Sequence, residues 1–246
     1  MSLMGLDIGT TGTKATIFNE EGRMLASAYR EYPLLHPQPG WMEVDPEQVW
    51  RMVKKALAEA AAGAASDPVK AFAISTMGEA AVPVDAAGKT LDNSIITFDA
   101  RAADLFGEWV TGQDRAAIMR ICGQPPSQMH TLAKLMWIKA NMPRLYERAE
   151  RFLCFGDFAH LKMGLEPRID YSMAARTMAF DIHGKKWSEE ICEWAGIRAD
   201  LFSPAVATGT AVGELGGKAA AELGLPEGCL VVAGSHDQPA GALGSG

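Results

Sequence analysis

The order of elements predicted along the chain points to a mixed α/β domain rather than a doubly wound one. Three observations carry that prediction. Three short strands come first, near residues 4–8, 14–19 and 23–30, broken by "GTTGT" and "NEEG", both rich in turn formers, as in an antiparallel meander. A capped helix then precedes the next apolar strand, "VKAFAIST". After a largely helical middle, a late apolar strand from Leu230 to Ala233 ends in glycine.

Each element has a local reason. In "PGWMEVDPEQVW", Asp45 is placed as N-cap, Pro46 as the first helical residue and Gln48 as the closing member of a capping box. Val44 and Val49 stand where a hydrophobic staple would form across that cap. Apolar residues at Trp50, Val53, Leu57 and Ala60 carry the helix to about residue 62, where "AAGAASDP" reads as a linker. "AAVPVDAAG" predicts a second strand of this region and "NSIITFDAR" a third. Amphipathic spacing predicts helices over 100–111 and 132–141, with 144–150 beyond a proline. A strand over 152–155 leads into a helical piece at 158–162, and a helix over 218–223 precedes the late strand. An alanine-rich patch covers 56–65, without internal repeats.

Composition narrows the function classes. The 246 residues are 48% hydrophobic and 22% charged, enough apolar material for one large domain or two small ones. A net charge of -7 disfavours nucleic acid and anionic membranes as partners, since both attract basic surfaces. It leaves room for a nucleotide, whose charge is met locally by a metal ion and backbone amides. Cysteines at 122, 154, 192 and 229 form no C-x-x-C pair, which disfavours both a zinc ribbon and a disulfide framework. With neither a cationic leader nor an apolar run of membrane-spanning length, the expectation is a reduced, cytoplasmic protein.

Three stretches can carry chemistry. In "LDIGTTGTK" a carboxylate, Asp7, ends a buried strand before a tight loop of Gly9, Thr10, Thr11, Gly12 and Thr13. Glycines there allow left-handed or closely approached backbone, so successive N–H groups can converge on an anion. The threonine hydroxyls and Lys14 add donors, and Asp7 can hold a magnesium ion directly or through water. The loop lacks the GK[ST] ending of a Walker motif, and the plain alternative is a polar hairpin turn. In "AGSHDQPAGALG", Asp237 follows an apolar strand among Gly234, Ser235 and Gly241, as a general base for phosphoryl transfer would. The alternative makes Asp237 the N-cap of a helix beginning at Gln238-Pro239; the two roles are compatible. In "STMGEAAVPVD", Glu79 lies just past a strand end beside Gly78, able to accept hydrogen bonds from sugar hydroxyls or to be a solvated turn residue. The five histidines are scattered singly and suggest no metal site, and consecutive Ser235-His236-Asp237 cannot form a triad, whose members must converge from separate positions.

Taken in order, "GLDIGTTGTKA", "PGWMEVDPEQVW", "AISTMGEAAVPVD", "IITFDARA", "DYSMAARTMAFDI" with "KWSEEI", and "GSHDQPAGALGSG" resemble the FGGY carbohydrate kinases. The resemblance implies an actin-like, ribonuclease-H-like ATPase domain with a mixed central sheet flanked by helices. It implies that Asp7 organises magnesium and that Thr10, Thr11, Gly12 and Lys14 contact ATP phosphates. It implies that Asp237 is the general base, with Gln238 beside the substrate and Gly78, Glu79 and Met129 around the sugar. ATP and Mg2+ are the implied cofactors and a small sugar or polyol the substrate; a homodimer is the one assembly considered. Glycerol kinases carry Arg-Glu, and xylulose kinases Met-His, where this chain has Gly78-Glu79, and Thr97 stands where an aromatic is frequent. Family members are twice as long, so residues 1–246 are expected to be the sugar-binding N-terminal domain, the adenine pocket belonging to a C-terminal domain. The competing readings are a non-catalytic sugar-sensing domain derived from a kinase and, more distantly, an actin-like ATPase of the assembly type.

Overall fold

The computed structural model describes residues 1–246. Its centre is a six-stranded mixed sheet. From one edge to the other the strands are Ala211–Glu214, Leu230–His236, Val69–Thr76, Ser2–Ile8, Gly12–Phe18 and Met24–Glu31. The first three strands in sequence form the expected antiparallel meander. Val69–Thr76 and Leu230–His236 run parallel to Ser2–Ile8, each reached through intervening helical chain.

Strict alternation decides which face each side chain takes. Met4, Leu6 and Ile8 turn into the core with Ile17, Phe72, Ile74 and Val231, while Leu3, Gly5 and Asp7 take the opposite face. The helix Pro46–Gly63 covers the core face through Val49, Trp50, Val53, Ala56, Leu57 and Ala60, spaced three and four apart. Its start is as expected: the Asp45 carboxylate accepts from the amides of Glu47 and Gln48, with Pro46 in the first turn. The reciprocal bond from the Gln48 side chain that would complete a capping box does not form. Val44 and Val49 are both buried in this core.

A second core lies beyond a four-stranded sheet of Glu43–Val44, Ser94–Ile95, Ala81–Val84 and Arg151–Cys154. It packs helices Ala103–Thr111, Arg115–Cys122, Thr131–Asn141 and Pro143–Arg148 around Phe106, Ile118, Leu132, Leu135 and Phe152. Several boundaries differ from the sequence expectation. "NSIITFDAR" contributes only Ser94–Ile95 as strand, because its remainder turns back at residues 96–99, where the Asp99 amide donates to the Ile96 carbonyl. The helix Arg115–Cys122 was not anticipated, although Asp114 caps it and Gly123 ends it in the left-handed conformation. Phe155–Lys162 is helical from its first residue, immediately after the strand ends at Cys154. No helix is long and apolar enough to cross a membrane.

Candidate active site

Pairing register brings the chemistry to one edge of the sheet. Asp7, Ser75 and Ser235 stand in one row across three parallel strands, and Ile8, Thr76 and His236 form the next. The segments that leave these strand ends carry the Gly9–Gly12 loop, Gly78-Glu79 and Asp237. Ligands of open α/β sheets bind outside such carboxyl ends. The late strand reaches its position through a register shift between Val232 and Ser235. Gly234 is needed there for packing, since a Cβ would stand 2.0 Å from the Ile74 carbonyl oxygen on the neighbouring strand. Its smallness serves that close approach of backbones.

Asp7 lies on the open face at the end of its strand. Ser75 Oγ donates to its Oδ1 at 3.1 Å, and Lys14 stands directly opposite in the antiparallel pair. Partial burial raises the Asp7 pKa above the ordinary carboxylate value; the Ser75 bond lowers it, the nearby charge of Asp237 raises it further and Lys14 lowers it. The loop beyond Asp7 is tied from below. The Gly9 amide donates to the Gly12 carbonyl at 2.9 Å, and the Tyr32 hydroxyl reaches the carbonyls of Gly9 and Gly12 at 2.5 and 3.1 Å. The Thr13 hydroxyl holds the Asp7 carbonyl at 2.7 Å. The amides of Thr10 and Thr11 donate to nothing within the chain. Of the two uses expected for the glycines, neither Gly9 nor Gly12 is left-handed, and both are closely approached. Gly12 is small because the Tyr29 phenol lies over it, its hydroxyl oxygen 2.3 Å from where a Cβ would be. Asp7, Lys14, Ser75 and Ser235 line one end of a cavity of about 500 Å³ on the open sheet face.

Asp237 is the first residue of the helix Asp237–Gly244. The cap position is His236, without a side-chain capping bond, so the N-cap role weighed for Asp237 is not the one it has. Its side chain is 36% exposed, and Oδ1 is buried without a hydrogen bond, 3.0 Å from His236 Nε2. That contact is an ion pair when the imidazole is protonated but lacks hydrogen-bond alignment. His236 also packs on Gly78, where a Cβ would lie 2.8 Å from Nε2. Gln238 is exposed on the first turn, with no hydrogen bond to the other residues of the site.

Glu79 is no solvated turn residue: it is 2% exposed and its backbone is left-handed at φ 61°. A non-glycine residue in that region is strained and persists only where its surroundings fix it. Thr131 Oγ1 and Lys134 Nζ donate to its carbonyl at 3.0 and 3.2 Å. Thr97 Oγ1 donates to its carboxylate at 2.7 Å, and Arg176 forms a salt bridge with it. Arg176 also donates to Gln124 Oε1 at 2.9 Å and lies 3.9 Å from Met129 Sδ. Burial pulls the Lys134 ammonium down to about 8, against the opposing charge of Glu79. Thr97 sits on a rigid turn: Arg101, inserted between Asp99 and Glu43, stacks 3.8 Å from the Trp41 ring centre.

The structure brings several of these residues together. Met129 touches Arg176, Arg176 holds Glu79, Gly78 packs on His236, and Asp237 is near enough to Asp7 for its charge to raise the Asp7 pKa, while Gln238 joins none of them. Sequence reasoning missed Arg176, Gln124, Lys134 and His236. Arg176 lies within "DYSMAARTMAFDI", a stretch noted for its likeness without a role for the arginine, and His236 adjoins the proposed base.

Comparison with known proteins identifies the family. The sequence profile of the FGGY family of carbohydrate kinases, N-terminal domain, matches residues 2–244. The xylulose kinase of Bacillus subtilis is 29% identical over 99% of this chain, and the glycerol kinase of Symbiobacterium thermophilum 33% identical over 86%. The crystal structure of xylulose kinase from Rhodospirillum rubrum superposes with a TM-score of 0.94 at 31% identity, over 100% of this chain and 51% of its own. Gluconate kinase from Lactobacillus acidophilus shares the fold with a TM-score of 0.90 at 20% identity, over 96% of this chain and 48% of its own. The matched regions are 49% and 44% of the two curated kinases, so the chain spans about half the length of these relatives. With its actin-like mixed sheet and a profile match over nearly its whole length, the chain belongs to the FGGY family of carbohydrate kinases and corresponds to their N-terminal half.

Proposed function

We propose that this chain is the sugar-binding half of an ATP-dependent carbohydrate kinase, with Asp237 as general base. One observation carries the reading: the ends of three parallel strands set Asp237 between the anion-ready loop at Asp7 and the buried Glu79–Arg176 pair. A sugar or polyol bound against Glu79, Arg176, Gln124 and Met129 would present a hydroxyl toward Asp237. The Asp237 carboxylate, 36% exposed, is the acceptor for that proton as the hydroxyl attacks the γ-phosphate. The free amides of Thr10 and Thr11, with Lys14 nearby, offset the charge that spreads over the transferred group.

The donor set suits magnesium. No group of three or more His, Cys, Asp or Glu side chains converges to hold a metal. Magnesium, however, is usually bound through one or two carboxylates, waters and substrate phosphates. Asp7, whose carboxylate shares its space with Asp237, would hold the ion, which would neutralise phosphate charge. Glu79 accepts from both Thr97 and Arg176, so its position selects the arrangement of hydroxyls and suits a neutral polyol or ketose. The relatives are named for xylulose, glycerol and gluconate.

Sugar-dependent ADP release by the uninterrupted protein, measured over a panel of polyols, ketoses and sugar acids, tests the reading. Stimulation by at least one member is expected. An ATPase rate indifferent to every sugar, with no sugar bound, would instead support a non-kinase role. Residues 1–246 alone are expected to bind sugar weakly and to turn over ATP poorly, because the adenine pocket of such kinases lies in the other half.

A further inference from the structure

Glu79 and Asp237 approach the site from different elements, yet one buried carboxylate is bonded toward both. Asp170 ends the two-residue strand Ile169–Asp170, paired in parallel with Ala205–Val206, and is 8% exposed. Its Oδ1 accepts from the Ser172 amide at 2.8 Å, the Met173 amide at 3.1 Å and the Ser172 hydroxyl at 2.5 Å. The two amide bonds cap the helix Tyr171–Arg176. The last residue of that helix is Arg176, which grips Glu79 and Gln124.

The third bond sets a direction. A serine hydroxyl has one proton, and here it goes to Asp170, so the Ser172 oxygen is left as an acceptor. The His236 amide donates to that oxygen at 2.9 Å. His236 is the last residue of its strand, immediately before Asp237. The chain of bonds thus runs from the Asp170 carboxylate through Ser172 to the backbone that aims the candidate base. Burial holds the Asp170 pKa above the ordinary carboxylate value, and the Ser172 hydroxyl and the capping amides oppose that rise.

We propose that Asp170 and Ser172 are positioning residues that fix the separation between the Glu79–Arg176 pair and Asp237, so that the two sides of the sugar site move as one body. This rests on the reading of Glu79 and Asp237 as those two sides. Neither Asp170 nor Ser172 need touch the sugar. One anchors the helix that carries the arginine, and the other fastens the end of the strand that carries the base.

The test uses the uninterrupted protein with Ser172→Ala, Ser172→Thr and Asp170→Asn, and two readouts. The first is amide hydrogen exchange at His236, which needs no ligand. Ser172→Ala should raise exchange at His236 about tenfold or more, leaving the helix Pro46–Gly63 protected, and Ser172→Thr, which keeps the hydroxyl, should restore protection. The second readout is calorimetric titration with D-xylulose, glycerol and D-gluconate. Whichever of them the unaltered chain binds should bind about tenfold more weakly to Ser172→Ala and near normally to Ser172→Thr. Unchanged exchange at His236 in Ser172→Ala would overturn the proposal. So would a uniform rise across the whole domain with a fall in Tm, which marks a general structural role. If no probe binds the unaltered, uninterrupted protein, the sugar-site reading fails, while the exchange at His236 still decides whether Ser172 holds the strand end. Should Asp170→Asn fail to fold, the serine pair alone decides.

Discussion

Asp237 and Glu79 show how the same carboxylate group is given two different settings by its surroundings. Asp237 keeps partial access to solvent, as a proton acceptor requires, while Glu79 is enclosed and has its carboxylate committed to Thr97 and Arg176. Replacing Glu79 with Gln removes the charge that balances Arg176 in a buried setting. It should lower stability by about 2–3 kcal/mol and abolish measurable sugar binding, read together by thermal unfolding and calorimetry. A second buried acid lies away from the site. Asp157 is enclosed, bonded through Oδ2 to Ser203 at 2.6 Å, and burial raises its pKa to about 7. A carboxyl whose folded pKa lies above its unfolded value loses stability as pH rises from about 4 to 7, because only the unfolded chain ionises across that window. His160 on the same helix, pulled down to about 4 by burial, works in the opposite sense and loses stability as pH falls below 6.5. Both forms of the protein contain His160, so comparing Asp157→Asn with the unaltered chain isolates Asp157. The Tm advantage of Asp157→Asn should grow from pH 5 to pH 8, by no more than about 4 kcal/mol in stability. An advantage constant across that range would mean that Asp157 is already ionised when folded. At this scale Asp7, Glu79 and Asp237 stood out because each lies at or just past the end of an apolar run with a glycine within three residues. Arg176 was not, since its partner lies 97 positions away and only folding makes the pair.

Elements with their own punctuation were read best. The start of the helix Pro46–Gly63 was legible from Asp45 and Pro46, and Asp45→Ala should cost about 1 kcal/mol through the two amides it leaves unpaired. In a chain of this size that is a fall in Tm of about 2–4 °C by calorimetry, and no change would mean that water or Gln48 replaces the cap. The helix Arg115–Cys122 carries the same kinds of signal at Asp114 and Gly123, but buries only Ile118 and Cys122, too few apolar positions for a period to show. The shortened strand at Ser94–Ile95 was misread for another reason. β-branched residues at 95–97 favour a strand, yet Arg101 folds the chain back to reach Asp99 and Glu43, and these partners come from tertiary structure. The N-cap expected at Asp237 moved by one residue, because the strand runs on through His236 and leaves that residue as the cap.

Across the whole molecule, the mixed order of the sheet follows from chain order. The meander supplies three antiparallel strands and each later strand returns through helical chain to join the same side. What the pattern along the chain could not show is the row formed by Asp7, Ser75 and Ser235, which depends on the register of three strands far apart in sequence. That row gives the proposed site its plan, with the loop after Asp7 at one side and the Glu79–Arg176 pair at the other. The most direct test of this plan is Asp237→Asn in the uninterrupted protein, comparing sugar affinity with sugar-dependent ADP release. The account predicts a sugar Kd within about threefold of the unaltered value and a turnover lower by at least about a hundredfold, the usual contribution of a general base. Unchanged turnover, or sugar affinity lost together with turnover, would contradict it.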